Sequence, residues 1–304
     1  MDYKHVTVAG SGILGSQIAY QTAFHGFQVC VYDVSDAQIE VAKNRIINLK
    51  LRYQEDLGVT EDQVNIAYNR ITFSNSLEKA VSNADLVIEA IPEVLQIKND
   101  FFKELGKIAP KNTVFATNTS SLLPSQFAEL SGRPEKFLAL HFANEIWKHN
   151  ITEIMKHPGT DEVVFHDVIT FAKAIGMVAI PLQKEQPGYI LNSLSMPLLE
   201  NALLLLVKEV ADVDTIDKTW RSATGASLGP FAIMDIVGIQ TTYHISLARA
   251  EATKNDMLIK ITDLLKNEYI KKGKLGKETG EGFYKYTSPD VAIRSYDNGL
   301  MDKI

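Results

Sequence analysis

The sequence predicts an α/β domain built on a mostly parallel sheet, followed by an all-α domain. Three observations predict it. Short apolar runs alternate with helical patterns through residue 183, which is how a parallel α/β sheet reads. The first run enters a glycine-rich turn that leads directly into an amphipathic pattern. Beyond Pro187 strand alternation stops and only helical periodicity remains. Domains are therefore expected at 1–183 and 184–286, with a weakly structured tail at 287–304.

The first strand is Val6 to Ala9. It enters G-x-G-x-x-G at Gly10, Gly12 and Gly15, with Ile13 and Leu14 opening the helix that follows (Leu14, Ile18 and Thr22 on one face). Gly10 suits the tight turn, Gly12 lets backbone N–H groups approach a pyrophosphate, and Gly15 lets helix and strand pack closely. The helix N-terminus adds oriented donors for phosphate charge. A second strand over 27–32 ends in Asp33, where an acid can bind the ribose hydroxyls of an adenine dinucleotide. No Arg follows closely to neutralise a 2′-phosphate, so NAD is the expected cofactor over NADP, and the domain reads as Rossmann-type.

Ile39, Ala42, Ile46, Leu49 and Tyr53 then recur at helical spacing, and a shorter helix is expected after Glu61. This excursion, about 36–68, is longer than a simple crossover and should protrude as a helical hairpin. Further strands are expected at 86–90, 114–117, 138–142, 152–155 and 178–180. In the second domain, 189–209 is apolar on several faces and should be its central helix or a subunit contact. Asp212 and Asp214 are placed to cap a helix at 216–223, Gly229-Pro230 opens one at 231–250, and a last one covers about 257–271.

Composition narrows the function classes. With 304 residues, 45% hydrophobic and 22% charged, the chain can fill two cores. A net charge of −6 without a basic block excludes a nucleic-acid surface and an anionic-membrane surface. The longest apolar stretch, 202–207, is too short to span a bilayer. The start has neither the basic region nor the apolar region of a signal peptide, so a cytoplasmic location is expected. Cys30 is the single cysteine, mid-strand and expected to be buried. No Cys/His cluster has metal-ligand spacing, so no metal is expected.

Ligands of such sheets bind beyond the carboxyl ends of the strands. There the sequence sets Asp33, the stretch from Glu89 through Ala90 to Glu93, Asn118 to Ser121, and His141 with Asn144. His141 ends an apolar strand and is the acid–base candidate, since a near-neutral imidazole can take a hydroxyl proton. Glu153, in the next strand, could fix its tautomer and stabilise the imidazolium.

These pieces resemble the 3-hydroxyacyl-CoA dehydrogenase family over nearly the whole chain up to Tyr286. The resemblance rests on Val-Ala-Gly-Ser-Gly-Ile-Leu-Gly at 8–15, Asp-Leu-Val-Ile-Glu-Ala-Ile-Pro-Glu at 85–93 and Ala-Thr-Asn-Thr-Ser-Ser-Leu at 116–122. It continues with Leu-His-Phe-Ala-Asn at 140–144, Pro-Gly-Tyr-Ile-Leu-Asn at 187–192, Gly-Pro-Phe at 229–231 and Thr-Gly-Glu-Gly-Phe-Tyr at 279–284. The resemblance implies a dimerising helical domain and a small-molecule substrate between the domains. It implies His141 as base with Glu153, and Ser120 and Asn192 on the reacting oxygen. Asn144 would orient nicotinamide, and Glu93 and Lys98 would lie near the cofactor.

Where the family follows His-x-x-Asn with Pro, this chain has Asn144-Glu-Ile-Trp-Lys-His, placing a charge and Trp147 beside the expected substrate channel. The hairpin offers Lys50 and Arg52 but also Glu55 and Asp56. Both departures resemble the diketoreductase branch. The expected activity is NAD-dependent interconversion of 3-hydroxyacyl-CoA and 3-ketoacyl-CoA. The alternatives are reduction of CoA-free β-keto or diketo esters, and, in a different class, a non-catalytic NAD-binding protein.

Overall fold

The structure, a computed structural model, describes residues 3–286; the tail expected at 287–304 lies outside the described residues. The chain divides into two compact units, Met1–Leu191 and Asn192–Ile304.

The first unit runs β1 (His5–Ala9), α1 (Ile13–Phe24), β2 (Gln28–Tyr32), α2 (Asp36–Leu57), α3 (Glu61–Tyr68), β3 (Ile71–Ser74), α4 (Leu77–Val81), β4 (Leu86–Glu89), α5 (Leu95–Ile108) and β5 (Val114–Thr117). It continues with α6 (Ser125–Ala128), β6 (Phe137–Phe142), β7 (Ile151–Lys156), α7 (Glu162–Ala174) and β8 (Val178–Leu182). The eight strands form one sheet in the order β3-β2-β1-β4-β5-β6-β7-β8. Every pairing is parallel except β6 with β7, which is antiparallel and sets His141 opposite Glu153. The order reverses between β2 and β4 at β1, so the crevice above β1 and β4 is the switch point. β4 and β5 are buried along their whole length, which is why they read as unbroken apolar runs.

β3 has no counterpart among the strands expected from sequence. Its four residues, Ile-Thr-Phe-Ser, are too few for alternation to register, and it is an edge strand paired only with β2. Cys30 is half-buried rather than enclosed, and burial raises its thiol pKa. The hairpin is held by local chemistry. Ser35 caps α2, Gly58 ends it at φ +66°, and Thr60 with Gln63 forms a capping box on α3. Ile39, Ala42, Ile46, Leu49 and Tyr53 form its buried stripe.

The second unit contains most of α8 (Tyr189–Val207), then α9 (Val213–Thr224), α10 (Pro230–Val237), α11 (Ile239–Thr253) and α12 (Asp256–Leu264). Leu199, Leu203, Phe231, Met234, Ile261 and Leu265 are among its core residues. The single helix expected over 231–250 is two, because Gly238 adopts φ +97°, a conformation that ends α10 and starts α11. The helix expected to 271 leaves α geometry after Leu264, passing through a π turn and a 3₁₀ turn. α8 has 19 residues and a mean hydropathy of 1.6, so length and composition alone would let it cross a membrane, contrary to the reading from 202–207. Here it contributes Leu199, Ala202 and Leu203 to a helical core.

Two buried carboxylates organise this unit. Asp217 accepts the N–H groups of Phe231 and Ala232, satisfying the first turn of α10. Asp235 accepts those of Phe283 and Tyr284 and the Tyr286 hydroxyl, anchoring the glycine-rich segment.

Candidate active site

The glycine loop fits a dinucleotide. Gly10 has φ +100°, and a Cβ there would sit 2.4 Å from the Ala90 carbonyl oxygen. A Cβ on Gly15 would lie 1.9 Å from the Gly10 carbonyl oxygen, so β1 and α1 approach as closely as glycine permits. A Cβ on Gly12, by contrast, would meet nothing within 4 Å, leaving open space over the turn. Gly12 is the N-cap of α1 and makes no side-chain cap, so the N–H groups of Ile13, Leu14 and Gly15 lack an intrahelical acceptor. That is an anion cradle.

Asp33 stands at the end of β2 as expected. Its Oδ2 accepts the Ser11 N–H at 2.8 Å and the Ser11 hydroxyl, and its Oδ1 accepts the Val34 N–H. One expectation needs correcting: an Arg does stand near. Arg45, more than two turns into α2, donates to the Ser11 carbonyl at 3.1 Å. Helical spacing brings it back over the loop, which proximity in sequence to Asp33 could not reveal.

Below the crevice a buried ionic cluster sets the β5–α6 loop. Glu89 and Lys98 are both fully buried and pair at 2.6 Å. Glu89 also accepts the Thr117 hydroxyl at 2.6 Å and the Ile91 N–H at 2.8 Å. Burial still pushes the Glu89 carboxyl above its ordinary range, against the ammonium beside it. Lys98 reaches Glu93 at 3.2 Å. Glu93 Oε1 accepts the N–H groups of Ser120 and Ser121 and the hydroxyls of Thr119 and Ser121. Burial would raise the Glu93 carboxyl, but these donors and Lys98 outweigh it and hold it below the ordinary range. Lys98, expected near the cofactor, is therefore enclosed in protein, and Glu93 acts on the loop. Asn118 Oδ1 accepts the Phe142 N–H at 3.0 Å, tying β5 to β6. Ala90 lies against Gly10.

The loop delivers Ser120 to His141. Ser120 Oγ lies 3.2 Å from His141 Nε2, and His141 Nδ1 lies 3.2 Å from Glu153 Oε2. The other Glu153 oxygen accepts the N–H groups of Ile190 and Leu191 at 2.8 and 3.0 Å. Burial would raise this carboxyl; the His141 hydrogen bond and the two N–H donors outweigh it, and its pKa is lowered. These bonds also tie the first turn of α8 to the sheet. The first compact unit runs to Leu191, inside that helix.

Sequence reasoning gave Tyr189 no role. Its ring stacks on the His141 imidazole at 4.4 Å and 17°. It is fully buried and holds φ +54°, a left-handed conformation that a non-glycine residue adopts only when its surroundings impose it. The Pro-Gly pair before it was the available signal. Asn144 is exposed just beyond β6. Asn192 is the first residue of the second unit, one position past the helix turn that Glu153 caps.

Trp147 is also relocated. Expected beside a substrate channel, it is 7% exposed and packs on Tyr53 of α2 at 5.4 Å. Glu145 pairs with Arg52 at 3.0 Å, and Lys50 lies over the Tyr68 ring. The hairpin cations thus already have partners. Among the described residues, no group of His, Cys, Asp and Glu side chains could hold a metal.

The family descriptions that match are the 3-hydroxyacyl-CoA dehydrogenase NAD binding domain, over residues 5–186, and the C-terminal domain of the same family, over 188–286. The human mitochondrial hydroxyacyl-coenzyme A dehydrogenase is 35% identical over 288 residues, covering 93% of this chain and 91% of that protein. A solved diketoreductase, described as catalysing reactions of dicarbonyl compounds, is 49% identical with a TM-score of 0.89, covering 94% of this chain and all of that one (100%). The (S)-3-hydroxybutyryl-CoA dehydrogenase of Ralstonia eutropha is 26% identical with a TM-score of 0.82, covering 94% and 100%.

Proposed function

The chain belongs to the 3-hydroxyacyl-CoA dehydrogenase family, and from that premise we propose that it interconverts a 3-hydroxyacyl compound and its 3-keto form with NAD. The chain Ser120–His141–Glu153 carries this reading. With Nδ1–H donated to Glu153, Nε2 carries the lone pair that takes the substrate's hydroxyl proton. Glu153 then stabilises the imidazolium, and Tyr189 keeps the ring in plane. In the reverse direction Nε2 returns the proton to the carbonyl oxygen. Ser120 hydrogen-bonds that oxygen, and Asn192 is assigned the same task. When bound, NAD+ would accept the hydride from that carbon in oxidation and NADH would supply it in reduction. Gly10, Gly12 and Gly15 would admit its pyrophosphate, Asp33 would hold its ribose, and Asn144 would orient its nicotinamide.

The acyl-CoA thioester is the leading substrate. A CoA-free β-keto or diketo ester is the second reading, supported by the 49% identity to a diketoreductase and by the engaged hairpin cations Lys50 and Arg52. Loss of NADH absorbance, measured with acetoacetyl-CoA, ethyl acetoacetate and a β,δ-diketo ester, tests both. Turnover of none of them overturns the enzyme reading. A kcat/KM preference of ~10⁴ or more for the thioester, roughly 5 kcal/mol of transition-state binding, sets the second reading aside.

We also propose a homodimer formed through the helical unit. A groove of about 450 Å³ on that unit, lined by Leu198, Leu205, Val210, Ile216 and Trp220, supports it.

A further inference from the structure

The connection between β6 and β7 joins the strand bearing His141 to the strand bearing Glu153, and it carries Asn144. Its path is imposed from outside. Glu145 holds φ +57°, in the left-handed region that a Cβ disfavours. Its N–H donates to Gln17 Oε1 of α1 at 2.8 Å, and its carbonyl accepts from the N–H groups of Lys148 and His149. Its carboxylate receives Arg52 Nη2 of α2 at 3.0 Å. Two residues on, Trp147 Nε1–H donates to Asp56 Oδ2 at 2.8 Å while its ring rests on Tyr53. Lys148 reaches the other Asp56 oxygen at 2.7 Å, and Arg52 lies 3.7 Å from the first. The Arg52 guanidinium also sits 5.5 Å from the centre of the Trp147 ring. One turn of the hairpin helix, through Arg52 and Asp56, therefore pairs with Glu145 and Lys148 of the connection, two cations and two carboxylates in all.

The grip has a consequence for Asn144. Both strands are fixed in the sheet, so any relaxation of Glu145 toward negative φ must be absorbed within 143–150, and the neighbouring peptide of Asn144 would turn with it. We propose that Arg52 and Asp56 are positioning residues for the nicotinamide end of the cofactor: they latch the β6–β7 connection so that Asn144 is presented beside His141. This rests on the assignment of the NAD site and of Asn144. Through Arg52 and Asp56 the helical hairpin thereby acts on the nicotinamide end of the dinucleotide.

Two ligands separate the latch from a general stabilising role. ADP-ribose carries the adenine, ribose and pyrophosphate contacts but no nicotinamide, whereas NADH has all of them. In the full chain, Arg52→Gln and Glu145→Gln should each raise the Kd for NADH about tenfold, one charge-assisted hydrogen bond's worth. The Kd for ADP-ribose should stay within about twofold, a change below half a hydrogen bond. The double variant should be no worse than either single one, Arg52→Lys should recover part of the loss, and amide exchange in 143–150 should quicken without ligand. Equal shifts for both ligands, no shift for either, or additive losses in the double variant overturn the latch. Should Arg52→Gln not fold, Glu145→Gln and Arg52→Lys carry the same comparison. If the unmodified chain binds NADH but turns over no substrate, the enzyme reading falls while the latch is still decided. If it binds neither ligand, the cofactor assignment falls and the latch with it.

Discussion

At Nε2 the His141 ring meets a hydroxyl and at Nδ1 a carboxylate, while Tyr189 covers its face. Removing the base should leave the dinucleotide cradle intact, so His141→Gln should lower kcat by roughly 10²–10⁴ with NADH affinity nearly unchanged. Glu153→Gln should lower kcat comparably and also lower Tm, because Glu153 holds the N–H groups of Ile190 and Leu191 as well. Near-normal turnover in either variant would remove the paired-base mechanism. The Glu153 carboxyl is lowered on folding, so its stabilising contribution is present above the unfolded value of about 4.3 and lost as pH falls through the folded one. The Tm gap between the natural chain and Glu153→Gln should therefore shrink as the medium is acidified below that value; a constant gap contradicts it. Asp33 should favour the ribose hydroxyls, making NADH strongly preferred over NADPH. With Arg45 beside Ser11, Asp33→Ala should raise kcat/KM for NADPH. Equal kcat/KM for both cofactors in the natural chain would show that Asp33 does not contact the ribose.

Single elements depend on single carboxylates. α8 begins where Glu153 supplies acceptors for its first turn, and α10 begins where Asp217 does the same. Gly229 is confined by that arrangement, since a Cβ on it would lie 2.2 Å from Asp217 Cγ. Asp217→Ala leaves buried N–H groups without an acceptor and also removes the partner of the Tyr284 hydroxyl. It should destabilise the second unit by about 2–4 kcal/mol, read from the shift of its urea transition. A change below about 0.5 kcal/mol would mean water reaches the α10 N-terminus. Helix existence was legible here from periodicity and capping residues, as Asp212 at the N-cap of α9 illustrates. The break at Gly238 was not, because glycine is tolerated inside many helices and only its positive φ decides the matter.

On the scale of the whole molecule, α8 leaves much apolar surface uncovered, with Leu194 70% and Leu205 40% exposed. Together with the groove at Trp220, that surface is large enough in character to expect a partner copy. Light scattering at micromolar concentration should give a dimer mass, and Trp220→Glu should shift it toward the monomer. A monomeric natural chain excludes the assembly.

The residues alone determined the two-domain plan, the dinucleotide cradle and His141 as the acid–base candidate, whereas the pairing of His141 with Glu153 was legible only through the family resemblance, since an acid near a strand end is usually solvated. The first three are written in short patterns: the end of strand alternation beyond Pro187, G-x-G-x-x-G after an apolar run, a histidine at a strand end. Tertiary structure alone decided which side chains spend their charge on one another. Lys98 is enclosed with Glu89, Trp147 is held by Asp56 and Tyr53, and Arg45, far along the chain from Asp33, reaches the Ser11 carbonyl. The reason is physical. A local pattern sets backbone geometry, whereas the partner of a long charged or aromatic side chain comes from whichever distant element the fold brings within a few ångströms, and burial then favours the pairing over contact with water.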